Sequence, residues 1–234
     1  MKVHVFTITY NEEVKLPFFI KHYRERFPNC KITIFDNEST DKTIDIATEN
    51  NCEVFIYNTN NEIRDDAYLK IKERCWKESN ADWIFVVDCD EFVDVTEEQL
   101  SQDFNIIKTE GWDMIGNDNN IDNITDGVRS PGYDKVCAWK SDCLDIIQYQ
   151  PGCHEAMVVA KPDVTLVFNS QSIKMWHFKW ISLPFVLERH KLFNERLSQI
   201  NKENNWGIHY SFSEEQQTNQ YNEFYKHKTK VRQI

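Results

Sequence analysis

The 234 residues suffice for one sizeable α/β domain with a short appendage, and not for two full domains. With 41% hydrophobic and 28% charged residues, and 7 Trp, 9 Tyr and 15 Phe, the composition excludes an intrinsically disordered chain. A formal net charge of −11 excludes a general nucleic-acid binder, because phosphate backbones are held mainly by Lys and Arg; a small anion held through a metal stays open.

The first ninety residues alternate strand and helix. Val3 to Ile8 is β-rich, and Val14 to Phe27 has apolar residues at helical spacing, with Pro17 tolerable in the first turn. Pro28-Asn29 marks a turn before a second strand, Lys31 to Phe35. Ser39 or Thr40 can cap a helix from Asp41 to about Glu49. Glu53 to Tyr57 reads as a third strand, Arg64 to Ser79 as a helix and Asp82 to Val87 as a fourth strand. Such repetition predicts parallel strands joined by right-handed crossovers, with helices on both faces of the sheet.

The second half is less regular. Thr96-Glu97-Glu98 resembles a cap and first turn for a helix to about Lys108, followed by a strand near Trp112 to Ile115. Residues 116–132, with four Asn, three Asp and a Pro, read as a long surface loop. Val136 to Trp139, Leu144 to Tyr149, Glu155 to Val159, Val164 to Phe168 and Ile173 to Phe178 read as short, mostly antiparallel strands. Helices over Leu183 to Ile200 and Ser213 to Lys226 close a single domain. The basic run Lys226 to Arg232 reads as a solvated tail, with peripheral contact to anionic lipid headgroups as its alternative.

Seven scattered cysteines with no Cys-x-x-Cys pair predict reduced thiols and a cytoplasmic location. No signal-peptide core follows Met1, and no apolar run reaches the length of a spanning helix. The sequons at Asn37 and Asn123 are then chance matches.

Ligands of parallel α/β sheets bind beyond the carboxyl ends of the strands, and here those ends are polar: Thr9-Tyr10-Asn11-Glu12, Asp36 to Asp41, Asn58 to Asp66, and Asp88-Cys89-Asp90-Glu91. In the stretch WIFVVDCDEFVD, an extended backbone would point Asp88 and Asp90 to one side. Two neighbouring carboxylates repel unless a cation compensates them, and oxygen donors with open positions suit Mg²⁺ or Mn²⁺ carrying a diphosphate.

Three motifs in this order, T-I-T-Y-N-E-E (Thr7 to Glu13), F-D-N-E-S-T-D-K-T (Phe35 to Thr43) and V-V-D-C-D-E-F (Val86 to Phe92), resemble the GT-A glycosyltransferases, especially the family-2-like group. The likeness is close over residues 1–95 and loose beyond. It implies a GT-A, Rossmann-like mixed sheet with a C-terminal helical extension: a nucleotide-binding half (1–95), an acceptor-side half (96–180) and terminal helices (181–234). It further implies transfer, with inversion, from a nucleoside-diphosphate sugar, UDP-sugar favoured, to a glycan, lipid-linked glycan or glycoprotein.

By that resemblance Thr9 and Asn11 line the nucleotide pocket, Asp36 contacts base or ribose, Asp88 and Asp90 form an Asp-x-Asp metal site, and the late His177 completes the metal shell. Basic candidates for the phosphates are Arg64, which could equally reach the base, Lys135 and Lys179. Arg64 is read as readily as a surface ion pair with its acidic neighbours. His154 and Glu155 are candidate general bases, pointing to opposite faces so that one enters the site; Asp113 and Asp145 are weaker rivals. Trp112, Tyr133, Trp139 and Tyr149 could stack on sugars, although strand aromatics more often belong to the core. The Glu-Asp pair that usually opens an acceptor-side helix in family 2 is missing. A sugar-nucleotide nucleotidyltransferase is disfavoured by the absence of an early glycine-rich basic loop; a noncatalytic nucleotide- or carbohydrate-binding module is the remaining alternative.

Overall fold

A computed structural model describes residues 1–233. Strands β1 (Val3–Thr9), β2 (Lys31–Asp36), β3 (Glu53–Ile56) and β4 (Trp83–Val86) pair in parallel, in the order β3-β2-β1-β4. Helix α1 (Leu16–Arg26) follows β1, α2 (Thr43–Glu49) follows β2, and α3 (Asp65–Arg74) follows β3. The alternation of β1 explains the layers. Val3, in register with Trp83 of β4, and Val5, in register with Ile32 of β2 and Phe85 of β4, pack in one cluster with Phe19, Ile20 and Tyr23 of α1 and Ala47 of α2. Phe6, Ile84 and Val86 face the other way, toward Leu69 and Cys75 at the α3 side. Two apolar faces require two covering layers.

The stretch after β4 does not run on as a loop. It turns at once into β5 (Glu91–Asp94), which belongs to a second sheet. Helix α4 (Glu97–Leu100), with a capping box between Thr96 and Gln99, is one turn long; the expected helix to Lys108 gives way to strand β6 (Ile106–Lys108) because Phe104, Ile106 and Ile107 are buried. Strand β7 (Glu110–Ile115) is longer than expected.

The region read as a loop contains strand β8 (Asp126–Arg129), paired antiparallel with β7, flanked by two short 3-10 turns. Polar composition misled there: β8 is held by backbone pairing and carries little apolar surface. Strand β9 (Val136–Lys140) joins β4 and β6 in the first sheet, and β10 (Leu144–Tyr149) and β11 (Ala156–Ala160) form a hairpin. The expected strand Val164 to Phe168 is absent apart from one bridge at Phe168.

Strand β12 (Lys174–Trp180) lies between β5 and β7 in the second sheet. The expected helix to Ile200 breaks into α5 (Leu183–Arg196), capped by Ser182, and α6 (Gln199–Glu203), capped by Ser198. Helix α7 (Glu214–His227) begins after a Ser213–Gln216 capping box. The basic tail is not a free solvated arm: β13 (Thr229–Lys230) pairs with β8, Lys228 lies 3.0 Å from Asp126, and Arg232 lies over Trp176.

Helix α1 ties the two sheets together. The Tyr23 hydroxyl donates to the Glu91 carbonyl at 3.0 Å, and a ring nitrogen of His22 lies 3.0 Å from the Val93 carbonyl oxygen. One core cluster therefore runs from β1 and β2 through α1 to Phe92, Met175 and Phe178. All seven cysteines carry free thiols, and no helix among the described residues is long and apolar enough to cross a membrane.

Candidate active site

The acidic segment is where the chain crosses from one sheet to the other. Asp88 ends the run after β4, Cys89 and Asp90 form a turn, and Glu91 opens β5. The turn is closed by Glu91 N donating to Asp88 O at 2.9 Å and by Asp88 N donating to the Glu91 carboxylate at 2.9 Å. Asp88 and Asp90 thereby open into a cavity of about 670 Å³ at the carboxyl ends of β1 and β4, roofed by α5 and the segment before α7. That size lies within the usual range of ligand sites.

Each carboxylate of the crossing faces a cation. Lys72 on α3 lies 2.6 Å from Asp88, Lys15 lies 2.7 Å from Asp90 and 3.3 Å from Glu12, and Lys135 lies 2.5 Å from Glu91. Arg189 on α5 completes the chain by pairing with Glu12 and donating to the Asn11 carbonyl at 2.6 Å. Burial alone would push the Asp88 carboxyl up, but the ammonium groups of Lys72 and Lys135 outweigh it and hold it below the usual range. The Lys15 ammonium does the same for Asp90 against its burial. Burial would lower Lys72, yet Asp88 drives it well above its ordinary value. The positive charge that the sequence demands beside Asp88 and Asp90 is thus already supplied in part by Lys72 and Lys15. Neither lysine is marked by any motif: Lys15 stands in the turn before α1 and Lys72 on α3.

His177 and Lys179, on the same side of β12, both line the cavity, whereas Trp176 and Phe178 are buried in the core. His177 Nδ1 lies 2.6 Å from Asp113 Oδ1 on the neighbouring strand β7. A carboxylate accepts, so Nδ1 carries the proton and Nε2 presents its lone pair. That lone pair faces Asp90 Oδ1 at 3.7 Å, longer than a hydrogen bond, so two electron-pair donors look at one another across a gap suited to a cation. These two residues fit a divalent ion. Asp88, the third expected ligand, is turned toward Lys72, and among the described residues no three His, Cys, Asp or Glu side chains converge as a ligand set.

Tyr133 lies against His177, ring centroids 4.0 Å apart, and against His154 at 4.9 Å. It reaches this place because β7 is bare at Gly111: a Cβ there would stand 2.6 Å from the Ser130 carbonyl. His154 Nδ1 lies 3.0 Å from the Gly132 carbonyl, which only accepts, so Nε2 is free as a base. Burial, then Lys135, keeps His154 below its ordinary pKa and hence neutral at pH 7.

The other expected residues sort differently. Glu155 is exposed and does not line the cavity, consistent with the two candidates pointing apart. Thr9 lines the cavity, but its hydroxyl donates to Asp36 at 2.8 Å. Asp36 is fully buried away from the cavity, also accepting from Ser39 N at 2.7 Å and Ser39 Oγ at 2.6 Å, which explains why Ser39 is not a helix cap. Asn11, at φ 51°, accepts from Thr40 N at 2.7 Å; it and Asp36 brace the two loops. Arg64 makes a forked surface pair with Asp66 at 2.8 and 2.9 Å and does not line the cavity. Lys135 is sealed against Glu91, both side chains at most 2% exposed. Of the aromatics, Tyr133 faces the cavity, while Trp139 and Tyr149 are core. Asp145 is outside the cavity lining.

Residues 4–99 match the sequence pattern of Glycosyl transferase family 2, from β1 through the acidic crossing into α4. No curated protein matches the chain. Among solved structures, similar ones include S. aureus TarS residues 1–349 at 14% identity, covering 84% of this chain and 65% of that one with a TM-score of 0.45. A mannosyltransferase from Pyrobaculum calidifontis, in complex with GDP-Man and Mn²⁺, is 14% identical, covering 46% of this chain and 34% of that one with a TM-score of 0.34. Glucosyl-3-phosphoglycerate synthase from Mycobacterium tuberculosis, in complex with Mn²⁺, UDP and glucosyl-3-phosphoglycerate, is 14% identical, covering 47% and 44% with a TM-score of 0.34.

Proposed function

We propose that this chain, whose residues 4–99 carry the Glycosyl transferase family 2 pattern, is a GT-A glycosyltransferase that moves a sugar from a nucleoside diphosphate, UDP favoured, to a hydroxyl acceptor on a glycan, lipid-linked glycan or glycoprotein. One observation carries the reading: the segment matched by the family delivers Asp88 and Asp90 into a cavity large enough for a sugar nucleotide.

In this reading Thr9, Tyr10 and Tyr68 border the nucleotide end of the cavity, and Lys72 and Lys15, paired with Asp88 and Asp90, are the cations for the diphosphate. Asp88, Asp90 and His177 would hold Mn²⁺ or Mg²⁺, which when bound neutralises charge on the departing diphosphate. Asp113 keeps His177 in the tautomer whose Nε2 faces inward. His154 Nε2 takes the acceptor proton as the acceptor oxygen bonds to the anomeric carbon and the bond to the diphosphate oxygen breaks, giving inversion.

The test is a thermal-shift screen of UDP, GDP and dTDP sugars, with Mn²⁺ and with chelator, paired with release of nucleoside diphosphate by the parent and by Asp90→Asn. One nucleotide should raise the Tm in a Mn²⁺-dependent way, and Asp90→Asn should fold but release at least a hundredfold less. Equal release by the variant in Mn²⁺ would overturn the metal site; no nucleotide response across the panel would overturn the function.

A further inference from the structure

The far wall of the cavity, built by the end of β12, α5 and the segment before α7, holds a second group of side chains that the donor does not explain. His190 on α5 is 3% exposed; the Gln217 side chain of α7 lies against its ring, and neither ring nitrogen makes a hydrogen bond of normal geometry. His209 Nε2 is buried and unpartnered as well. The rings of His190 and His209 are 5.7 Å apart, Tyr210 packs on both at 5.3 and 4.0 Å, and the Lys179 ammonium lies 6.0 Å from the Tyr210 ring. Lys179, His190, His209 and Tyr210 all line the cavity.

Buried polar atoms are nearly always satisfied in native proteins, by protein, water or ligand, so three orphans on one wall ask for an occupant. Lys179 indicates its charge. The chain is acidic overall, and every carboxylate at the crossing is paired, yet Lys179 forms no ion pair among the described residues; Asp113 and Asp90 act on it only at longer range. Burial first and the Lys179 ammonium next bring His209 down to about 3, so both imidazoles are neutral at pH 7 and Lys179 is the positive charge of this wall. A neutral hydroxyl would satisfy the imidazoles and leave the ammonium uncompensated. An anion accepts the one N–H of each neutral imidazole and compensates the ammonium as well.

We infer that Lys179, His190 and His209 form a subsite for an anionic group, a phosphate or carboxylate, carried by the acceptor. The inference rests on the transferase reading for the word acceptor, and the anion site itself stands on the wall alone. In this arrangement Lys179 serves the acceptor's anion, with the donor diphosphate left to Lys72 and Lys15, which pair with Asp88 and Asp90.

Inorganic phosphate is the probe. Histidine ring resonances of the full chain are followed by NMR at pH 7.5 during phosphate titration, with and without saturating UDP and Mn²⁺, with glycerol as the neutral control. Saturable shifts of His190 and His209 that persist with UDP bound, and weaken at least tenfold in Lys179→Met, are expected. Should Lys179→Met fail to fold, His209→Gln gives the same arm, with His190 as reporter. No shift of either ring, or an equal response to glycerol, overturns the anion site. A shift abolished by UDP overturns the acceptor assignment, because the anion is then the donor's. Failure of UDP itself to bind would instead count against the transferase reading.

Discussion

Lys72 Nζ lies 2.6 Å from Asp88 Oδ1, so a lysine on the third helix holds one arm of the Asp-x-Asp turn inside the cavity. The pair makes Lys72 a competitor for whatever cation Asp88 serves. Lys72→Met removes the internal counter-ion and leaves the carboxylate exposed to Asp90, which disfavours the charged form unless a metal arrives. The variant should have a lower Tm than the parent in chelator and a larger gain on adding Mn²⁺, while its apparent KM for the donor rises about tenfold, or ~1.4 kcal/mol. Equal Mn²⁺ shifts in the two proteins would remove Asp88 from the metal site.

The same kind of pair has a different meaning at Lys135. Its contact with Glu91 is sealed from solvent, Lys135 itself does not line the cavity, and Glu91 closes the turn that presents Asp88. Lys135→Met strands a buried carboxylate, which costs about 3–5 kcal/mol, and Glu91→Gln combined with it should recover much of that loss. Denaturant unfolding measures both. A stable Lys135→Met with an elevated donor KM would restore Lys135 to the phosphates.

The two candidate bases are separable in the same assay. His154 and Glu155 are both exposed, but only His154 lines the cavity, where its Nε2 is free. His154→Gln should lower transfer by about 10²–10⁴ with donor affinity kept, and Glu155→Gln should stay within about threefold. Because the His154 pKa is lowered, the base is neutral across the physiological range: transfer should be flat near pH 7 and fall only as the pH drops below 6.5. The pH profile of kcat/KM, lost in His154→Gln, checks the assignment.

What could be read from the sequence follows the range of the interactions. The β1 to β4 repetition is written in local periodicity and in cap residues, and its polar strand ends located the rim. The crossing at Asp88 to Glu91 was visible as an abrupt change from apolar to acidic, but nothing local said that β5 would start one residue after Asp90. Lys72, Arg189, His190 and His209 were invisible for a stronger reason. Arg189 meets Glu12 across 177 positions, and such pairs leave no periodicity to detect. Asp36 shows the reverse error: its motif is plain in sequence, yet its carboxylate is spent on Thr9 and Ser39 within the scaffold.

The buried histidines give the fold an acid limit. His4, between Ser79 and Thr33 at 2.8 Å each, is lowered to about 4, first by burial and then by Lys31. Burial, then Lys179, lowers His190 to about 4, and His209 falls to about 3. In the unfolded chain all three protonate near 6.5, so between there and 4 the unfolded state binds more protons and stability must fall as the pH falls. Glu12 and Asp65, both raised by burial, oppose them, while the buried His22, lowered well below its ordinary value, acts in the same direction as the three. Each excess proton contributes a slope of about 1.4 kcal/mol per pH unit. Urea midpoints should therefore hold steady from pH 8 to 7 and decline from 6.5 to 4, and His4→Gln should flatten that decline. A parent whose midpoint is unchanged down to pH 5 would show that these imidazoles are free to protonate in the folded protein.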